Sequence, residues 1–182
     1  SNSASPLNAE ALAIIQDKIL SVEGNQVIKL QLLETPLGMM AACATDDGLC
    51  MLEFMDRGSF TKELKYLKKF LKASIEIGNN KHLNQLEKEL DEYFEGTRKN
   101  FDLPLVTTGT EFQNAVWRKL LDIPYGETRS YKQQSISLEN LGAIRAVGTA
   151  NGANRIAIII PCHRVIGENG SLKGYAGGLQ FK

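Results

Sequence analysis

The spacing of hydrophobic and polar residues divides the first part of the chain into strands and helices. The pattern over 27–33 predicts a β-strand, and the runs 39–44 and 49–54 flank a Thr-Asp-Asp-Gly turn, which predicts a hairpin. A helical period begins at Ser59, a typical N-cap residue, and a second one covers 83–94. Strand, hairpin, helix and helix together predict a small α/β unit.

The second part of the chain is predicted to be mostly helical. Apolar residues at helical spacing cover 111–121, and Ser130 is placed to cap a short helix that ends near 137. A Gly-containing break at Asn140–Gly142 separates that helix from another over 143–151. Two short helices across a tight break form a candidate helix-turn-helix.

The helix predicted over 143–151 has an unusual composition. Its residues are almost all small, and one long cation, Arg145, projects among them. Small side chains let a backbone approach another surface closely, and tight helix–helix packing uses the same composition. The arginine favours close approach to another surface over helix–helix packing.

The most apolar stretch is 156–160, whose Ile-Ala-Ile-Ile-Ile sequence predicts a fully buried strand. Pro161 ends that strand, and Cys162 and His163 follow directly. This arrangement predicts a reactive thiol at the end of a rigid element. A single buried cysteine is more often an ordinary core residue, so the neighbouring residues have to decide.

Cys162 and His163 are the candidate reactive pair. A neighbouring imidazole can stabilise a thiolate and make it nucleophilic. Adjacent side chains do not face each other on a strand or a helix, so we expect a water molecule to connect the two. The other histidine, His82, is expected to lie on the surface.

Three segments are predicted. Residues 1–24 contain a loosely helical pattern over 8–22, which fits either a short docking helix or a linker, and they open with Ser-Asn-Ser, typical of an expression tag. Residues 25–104 form the α/β domain. Residues 105–182 form the second domain, with a linker at 105–109.

Composition is that of a globular protein, with 43% apolar and 23% charged residues in a chain of 182. No apolar run approaches the roughly 18 residues of a membrane span, so no membrane association is expected. The zero formal charge hides an asymmetry. Residues 1–111 carry 12 Lys and Arg against 17 Asp and Glu, and residues 112–182 carry 9 against 4. The excess of cations makes residues 112–182 the part of the chain suited to binding phosphate groups.

The three cysteines form no disulfide framework, because their number is odd and their spacing irregular. A reducing, intracellular compartment follows. Cys43, Cys50 and His82 would supply three metal ligands only if the fold brought them together, and no metal site is expected. Four lysines, at 65, 68, 69 and 72, are interpreted as the solvated face of a helix.

The motifs of the second part resemble those of the 6-O-alkylguanine-DNA alkyltransferases. Pro161–Gly167 reads Pro-Cys-His-Arg-Val-Ile-Gly, and 174–179 reads Gly-Tyr-Ala-Gly-Gly-Leu. Upstream, 112–117, 123–131 and 145–148 resemble the same family in the same order and spacing. The resemblance covers essentially all of the second part.

The resemblance implies a fold and an activity. The fold is α/β: a small N-terminal domain with a three-stranded antiparallel sheet and helices, ribonuclease-H-like, precedes a mostly helical winged helix-turn-helix domain that carries the cysteine. The implied activity is DNA repair, in which a flipped 6-O-alkylguanine gives its alkyl group to the cysteine once and irreversibly. The implied partner is double-stranded DNA, bound through the minor groove by a monomer without cofactor. Location is expected to be the cytoplasm of a bacterium or the nucleus of a eukaryote.

The resemblance also implies roles for residues of the reaction site. Cys162 would accept the alkyl group, His163 would activate it through water, and Tyr131 would donate a proton towards the leaving guanine. The implied pocket residues are Asn154, which braces the cysteine, Val165, whose carbonyl faces the guanine amine, and Tyr175 and Ala176, which line a closing loop.

Further residues are implied to hold DNA. Arg145 matches the finger that fills the place of the flipped base. Ser130, Arg129 and Lys132 are expected to contact the backbone, and Arg155 is counted with the phosphate contacts.

The chain departs from the family pattern in three places. Asn-Arg-Ile-Ala at 154–157 stands where many members have Asn-Pro-x-Pro, and Gln134 and Ser135 are polar where the first helix of the motif is usually apolar. The family also continues past the position of Lys182 into a helix whose glutamate orients the histidine, and we expect that helix to be missing from this sequence.

Two alternatives remain open at this stage. One is a non-enzymatic relative that binds alkylated bases; such proteins replace the cysteine, and Cys162 is present. The other is the C-terminal part of an adaptive-response transcription regulator, with residues 8–22 as the link.

Overall fold

A computed structural model describes residues 26–57, 59–167 and 170 of the chain. The helix expected over 8–22 lies outside the described residues.

A four-stranded sheet forms the N-terminal domain. Its strands are β1 (Gln26–Thr35), β2 (Gly38–Ala44), β3 (Leu49–Phe54) and β4 (Ala73–Ile77), in the order β3-β2-β1-β4. The first three are antiparallel neighbours, as predicted, whereas β4 pairs parallel to β1.

The prediction of a three-stranded antiparallel sheet is therefore corrected to a mixed sheet of four strands. The strand β4 has five residues and directly follows a helix. Its sequence, Ala-Ser-Ile-Glu-Ile, alternates apolar and polar residues, so the strand carries a short sequence signal that the prediction missed, whereas its parallel pairing with β1 carries none.

Two helices cover the sheet. Helix α1 (Phe60–Phe70) packs on one face through Leu64 and Leu67, and helix α2 (Lys81–Phe94) packs on the other. The side chain of Ser59 makes no cap hydrogen bond, whereas Asn80 caps α2 by accepting from two backbone amides.

His82 is buried rather than on the surface, with 7% of its area exposed. Its Nε2 lies 2.8 Å from the carbonyl oxygen of Asp46. That carbonyl belongs to the β2–β3 turn, so the histidine joins the start of α2 to the hairpin. A single sequence position in the first turn of a helix carries no signal for such a contact.

The second domain contains three described α-helices: α3 (Glu111–Leu121), α4 (Tyr131–Ser137) and α5 (Ile144–Gly152). Reciprocal capping boxes begin α3 at Thr110 and α4 at Ser130. A 3-10 turn, Leu141–Ala143, separates α4 from α5, which confirms the predicted pair of short helices and their break. Among the residues that the structure describes, no helix has the length and apolar character needed to cross a membrane.

The run 156–160 is a turn and not the buried strand that its composition predicted. Only Ile156 forms a bridge, parallel to Leu52 of β3. The amide of Ile160 donates to the carbonyl of Ile156, so the chain folds back on itself. The run is apolar because the packed domains enclose it, and periodicity alone does not separate a buried strand from a buried turn.

The edge strand β3 connects the two domains. Leu49 donates to Pro104, the last residue of the predicted α/β domain, and accepts from Val106 of the predicted linker. Leu52 does the same with the apolar turn, donating to Arg155 and accepting from Ala157. One hydrophobic cluster continues from this side of the sheet into the helical domain, so the cysteine-bearing segment is fixed to the sheet.

Candidate active site

Asn154 organises the turn that leads to Cys162. Its side-chain amide donates to the Ile160 carbonyl at 2.9 Å and to Cys162 Sγ at 3.3 Å. Its Oδ1 accepts from the Ile156 amide at 2.9 Å. The residue is 5% exposed, so these bonds lie away from solvent. One side chain thus closes the turn and places a donor on the sulfur.

Ile158 gives this turn a strained backbone. Its φ is +69°, a left-handed conformation that a β-branched residue rarely adopts. Such a conformation costs about 1–3 kcal/mol and persists only where the surroundings enforce it. Here the enforcing contacts are the Asn154 bonds and the pairing with β3.

A two-stranded parallel sheet brings Cys162 and Tyr131 together. Strand β5 (Arg129–Ser130) ends directly before Tyr131, and β6 (Val165–Ile166) follows the 3-10 turn Cys162–Arg164. The pairing of Arg129 with Val165 joins them. Neither strand was predicted, because two residues are too few to show a period.

Burial and the neighbouring Cys162 raise the pKa of the Tyr131 phenol above its usual value of 10. Both causes disfavour the charged phenolate, and the second one requires that the two side chains lie close together. The phenol therefore keeps its proton at neutral pH and can donate it. The Tyr131 ring also lies beside α5: a Cβ atom built on Gly148 of that helix would be 3.9 Å from the edge of the ring.

His163 follows Cys162 on the same 3-10 turn and is half-buried, whereas Cys162 is 9% exposed. The predicted water between them stays a prediction. Val165, which was predicted to line the substrate pocket, is completely buried. Tyr175 and Ala176 lie outside the described residues.

Helix α5 presents its cation outward. Arg145, Ala146 and Thr149 are exposed, whereas Val147 and Ala150 are buried. The indole of α3 secures the buried side, since Trp117 Nε1 donates to the Ala150 carbonyl at 2.9 Å. The small residues thus serve both packing and an open outer surface.

Gln134 and Asn151 form a buried reciprocal amide pair between α4 and α5. Gln134 Nε2 donates to Asn151 Oδ1 at 2.9 Å, and Asn151 Nδ2 donates to Gln134 Oε1 at 2.8 Å. Both are at most 4% exposed. The side-chain amide of Gln134, a polar residue where the family pattern is apolar, thus has its hydrogen-bond partner. That partner lies 17 positions away, and the sequence did not predict it.

The residues expected at the DNA backbone lie at the start of α4. Ser130 is half-buried, and its hydroxyl accepts from the Gln133 amide as the helix cap. Lys132 is exposed. Arg129 pairs with Glu127 at 3.3 Å near the surface.

Arg155 turns inward instead of towards solvent. Its Nε lies 2.5 Å from Glu63 Oε2, and its guanidinium carbon lies 3.8 Å from the centre of the Tyr66 ring. The guanidinium counted with the phosphate contacts is thus held by α1 of the N-terminal domain. The sequence carries no signal for this pairing, because the two charges are 92 positions apart.

The other two cysteines are deeply buried. Cys50 Sγ donates to the Cys43 carbonyl at 3.4 Å. Burial raises the pKa of Cys50 to about 12, and burial raises that of Cys43 well above its usual value. Both thiols are therefore protonated and shielded. No group of three His, Cys, Asp or Glu residues among those described is arranged to hold a metal ion.

Family models match both domains. Residues 28–107 match the ribonuclease-like domain of 6-O-methylguanine DNA methyltransferase, and residues 111–182 match its DNA binding domain. The chain belongs to the 6-O-methylguanine DNA methyltransferase family. This confirms the resemblance and the two-domain fold class, with the corrected sheet.

Relatives in this methyltransferase family support the same assignment. The methylated-DNA–protein-cysteine methyltransferase of Methanosarcina barkeri is 44% identical over 151 residues, which cover 83% of this chain and 90% of the relative. An inducible enzyme of the same name from Bacillus subtilis is 45% identical, over 65% of this chain and 66% of its own length.

Solved structures of the family have the same fold. Mycobacterium tuberculosis O6-methylguanine methyltransferase is 37% identical, with a TM-score of 0.70 over 85% of this chain and 87% of that one. The same organism's OGT in complex with DNA matches with a TM-score of 0.69 at 37% identity, over 84% of this chain and 86% of that one.

Proposed function

We propose that this family member repairs DNA by moving the alkyl group of 6-O-alkylguanine onto Cys162 in one irreversible step. The observation that carries this proposal is the environment of the Cys162 sulfur. Asn154 donates a hydrogen bond to the sulfur, and the protonated Tyr131 phenol lies close by. Family membership and relatives named methylated-DNA–protein-cysteine methyltransferase support the same reaction.

The reaction is a displacement at the alkyl carbon. The Cys162 sulfur forms a bond to that carbon while the bond from carbon to the guanine oxygen breaks, and the electron pair leaves with guanine. The thiol proton passes to His163 through water, and Asn154 stabilises the sulfur anion by its hydrogen bond. A thioether is not hydrolysed under these conditions, so each molecule acts once.

Tyr131 supplies the proton that neutralises the leaving guanine. A phenol with a raised pKa stays protonated at neutral pH and donates only when a base develops negative charge beside it. The Val165 carbonyl would accept from the guanine amine, and Tyr175 and Ala176 would line the loop over the base.

DNA binding is proposed for α4 and α5. The exposed small-residue face of α5 suits close approach in the minor groove, and Arg145 would fill the space that the flipped base leaves. Ser130, Arg129 and Lys132 at the start of α4 would contact phosphates. We also propose that the protein acts as a monomer in the compartment that contains DNA, because one chain supplies every residue named here.

Intact-mass measurement after incubation with a methylated-guanine duplex tests the proposal. We expect each molecule to gain one methyl group, located on Cys162 by peptide mapping, with no second turnover in excess duplex. Cys162→Ser is expected to gain none. Unmethylated duplex is the control for non-specific addition. A methyl group on Cys43 or Cys50 would refute the proposal, and so would folded protein that gains no methyl group from the methylated duplex.

A further inference from the structure

Arg155 lies beside Asn154 in the turn that leads to the cysteine, yet its side chain belongs to the surface of α1. Its Nε contacts Glu63 Oε2 at 2.5 Å, and only 13% of the Arg155 side chain and 19% of the Glu63 side chain are exposed. An ion pair shielded to this extent is screened less by salt than a surface pair. The pair therefore ties the turn to the first domain.

Tyr66 completes this attachment. The guanidinium carbon lies 3.8 Å from the centre of the Tyr66 ring, a favourable cation–π distance. The Tyr66 hydroxyl donates to the Thr108 carbonyl at 2.7 Å, so the ring itself is fixed to the segment between the domains. The guanidinium is held at one edge by a carboxylate and on one face by an anchored ring.

The backbone of the same residue is also held. Leu52 of β3 donates to the Arg155 carbonyl at 2.8 Å and accepts from the Ala157 amide at 2.9 Å. Arg155 is thus bound to the N-terminal domain at both its main chain and its side chain. The neighbouring residue, Asn154, contacts the Cys162 sulfur.

The strained part of the turn needs such support. Ile158 is held at φ +69°, and this conformation relaxes unless its flanks are fixed. Asn154 fixes the turn from inside, whereas Arg155 fixes it from the first domain. Loss of the outer attachment would let the Asn154 amide move relative to the sulfur.

We propose that Arg155 is a positioning residue for alkyl transfer: its contacts with Glu63 and Tyr66 let the N-terminal domain hold the Asn154 amide against the Cys162 sulfur. This inference rests on the proposed function of Cys162. It gives the first domain a part in the chemistry, and it assigns Arg155 to the domain interface instead of to DNA.

The test measures the rate of alkyl transfer from a free alkylated guanine base, which requires no DNA contact, and from duplex DNA, each across a pH series. The variants are Arg155→Met, which keeps much of the stem, and Glu63→Gln, which removes only the charge of the partner. Arg98→Met is the matched control, because Arg98 is also a partly buried arginine, and its ion pairs with Glu89 and Glu92 of α2, each at 3.3 Å, lie within the first domain.

Both Arg155→Met and Glu63→Gln are expected to slow transfer from the free base by about 10- to 100-fold, since small displacements of reacting groups have effects of that size. The pH at which the rate reaches half its alkaline plateau should move upward, because the thiolate loses its donor. The slowing should be the same on duplex DNA. Arg155→Lys, which retains the charge, should recover part of the rate.

Arg98→Met is expected to lower the unfolding temperature without changing the rate or its pH profile. If the Arg155 variants behave like this control, or lose activity only on duplex DNA, the positioning role is wrong. Failure of the unaltered protein to transfer an alkyl group would instead refute the proposed function, so the two outcomes are distinct. If Arg155→Met does not fold, the transfer rates and pH profile of Glu63→Gln test the positioning role in its place.

Discussion

At the scale of single residues, the environment of Cys162 separates it from the other two cysteines. Cys43 and Cys50 are surrounded by apolar core, and burial raises the pKa of each. Cys162 instead lies at a chain turn with a donor amide, Asn154, on its sulfur and a phenol, Tyr131, nearby. The same residue type is protonated and shielded in one setting, and in the other it is the nucleophile that we propose.

Replacement of Tyr131 by Phe is expected to slow alkyl transfer by about 100-fold, because the ring is kept and the proton donor is lost. The raised pKa means that the native phenol is protonated below about pH 10, so the ratio of the two rates should be constant between about pH 6 and 9. Above the phenol's pKa the native rate should fall towards that of the variant. Single-turnover rates at each pH measure this, and a ratio that already collapses near pH 8 would contradict the proton-donor role.

At the scale of elements, short helices are placed by specific polar contacts as well as by apolar packing. Helix α4 has only seven residues and a reciprocal capping box at Ser130, and the buried Gln134–Asn151 pair fixes it against α5. Hydrogen bonds between two specific amides fix the position of α4 along α5, whereas apolar contacts alone would allow several positions. The outward direction of Arg145 depends on that register.

Substitution of either member of this pair is expected to destabilise the protein, because it leaves a buried amide without its partner. Gln134→Leu alone and Asn151→Met alone should each lower the free energy of unfolding by about 1–3 kcal/mol. The double variant should lose less than the sum, because two apolar side chains leave no unsatisfied group. Urea unfolding of the four proteins measures the coupling, and strictly additive losses would show that the pair does not act as a unit.

At the scale of the whole molecule, charge and attachment are divided between the domains. The second domain carries the excess of cations, whereas the first carries the sheet edge that holds the apolar turn. Arg155 would be an ordinary surface cation if the second domain stood alone. Its contacts with Glu63 and Tyr66 separate it from the residues that we propose to contact DNA.

Affinity for duplex DNA should therefore fall as the salt concentration rises, and the steepness of the fall should depend on the exposed cations of the second domain without Arg155. If the three cations Arg129, Lys132 and Arg145 each displace a counterion from the DNA, the slope of log affinity against log salt should be about −2.7, or roughly a 40-fold loss between about 50 and 200 mM. Lys132→Ala should reduce the slope by about 1. Binding titrations at several salt concentrations measure this.

The exposed lysine face of α1 supplies the control. Lys65→Ala and Lys69→Ala are expected to leave the salt slope unchanged, since that face is interpreted as solvated. A slope near zero for the native protein would contradict the DNA-binding proposal, and a reduced slope for the α1 variants would contradict the solvated interpretation.

The sequence by itself determined the features that depend on neighbours along the chain. The hairpin, the helices and the break at Leu141–Ala143 follow from local periodicity and capping, and the motif around Cys162 identified the family. The tertiary structure alone decided the parallel pairing of β4 with β1, the turn in place of a strand at 156–160, and the pairs Gln134–Asn151 and Arg155–Glu63. Each of these depends on groups brought together from distant positions, and a local pattern cannot report which distant partner a buried polar or apolar residue will meet. The packing of the two domains supplies that information.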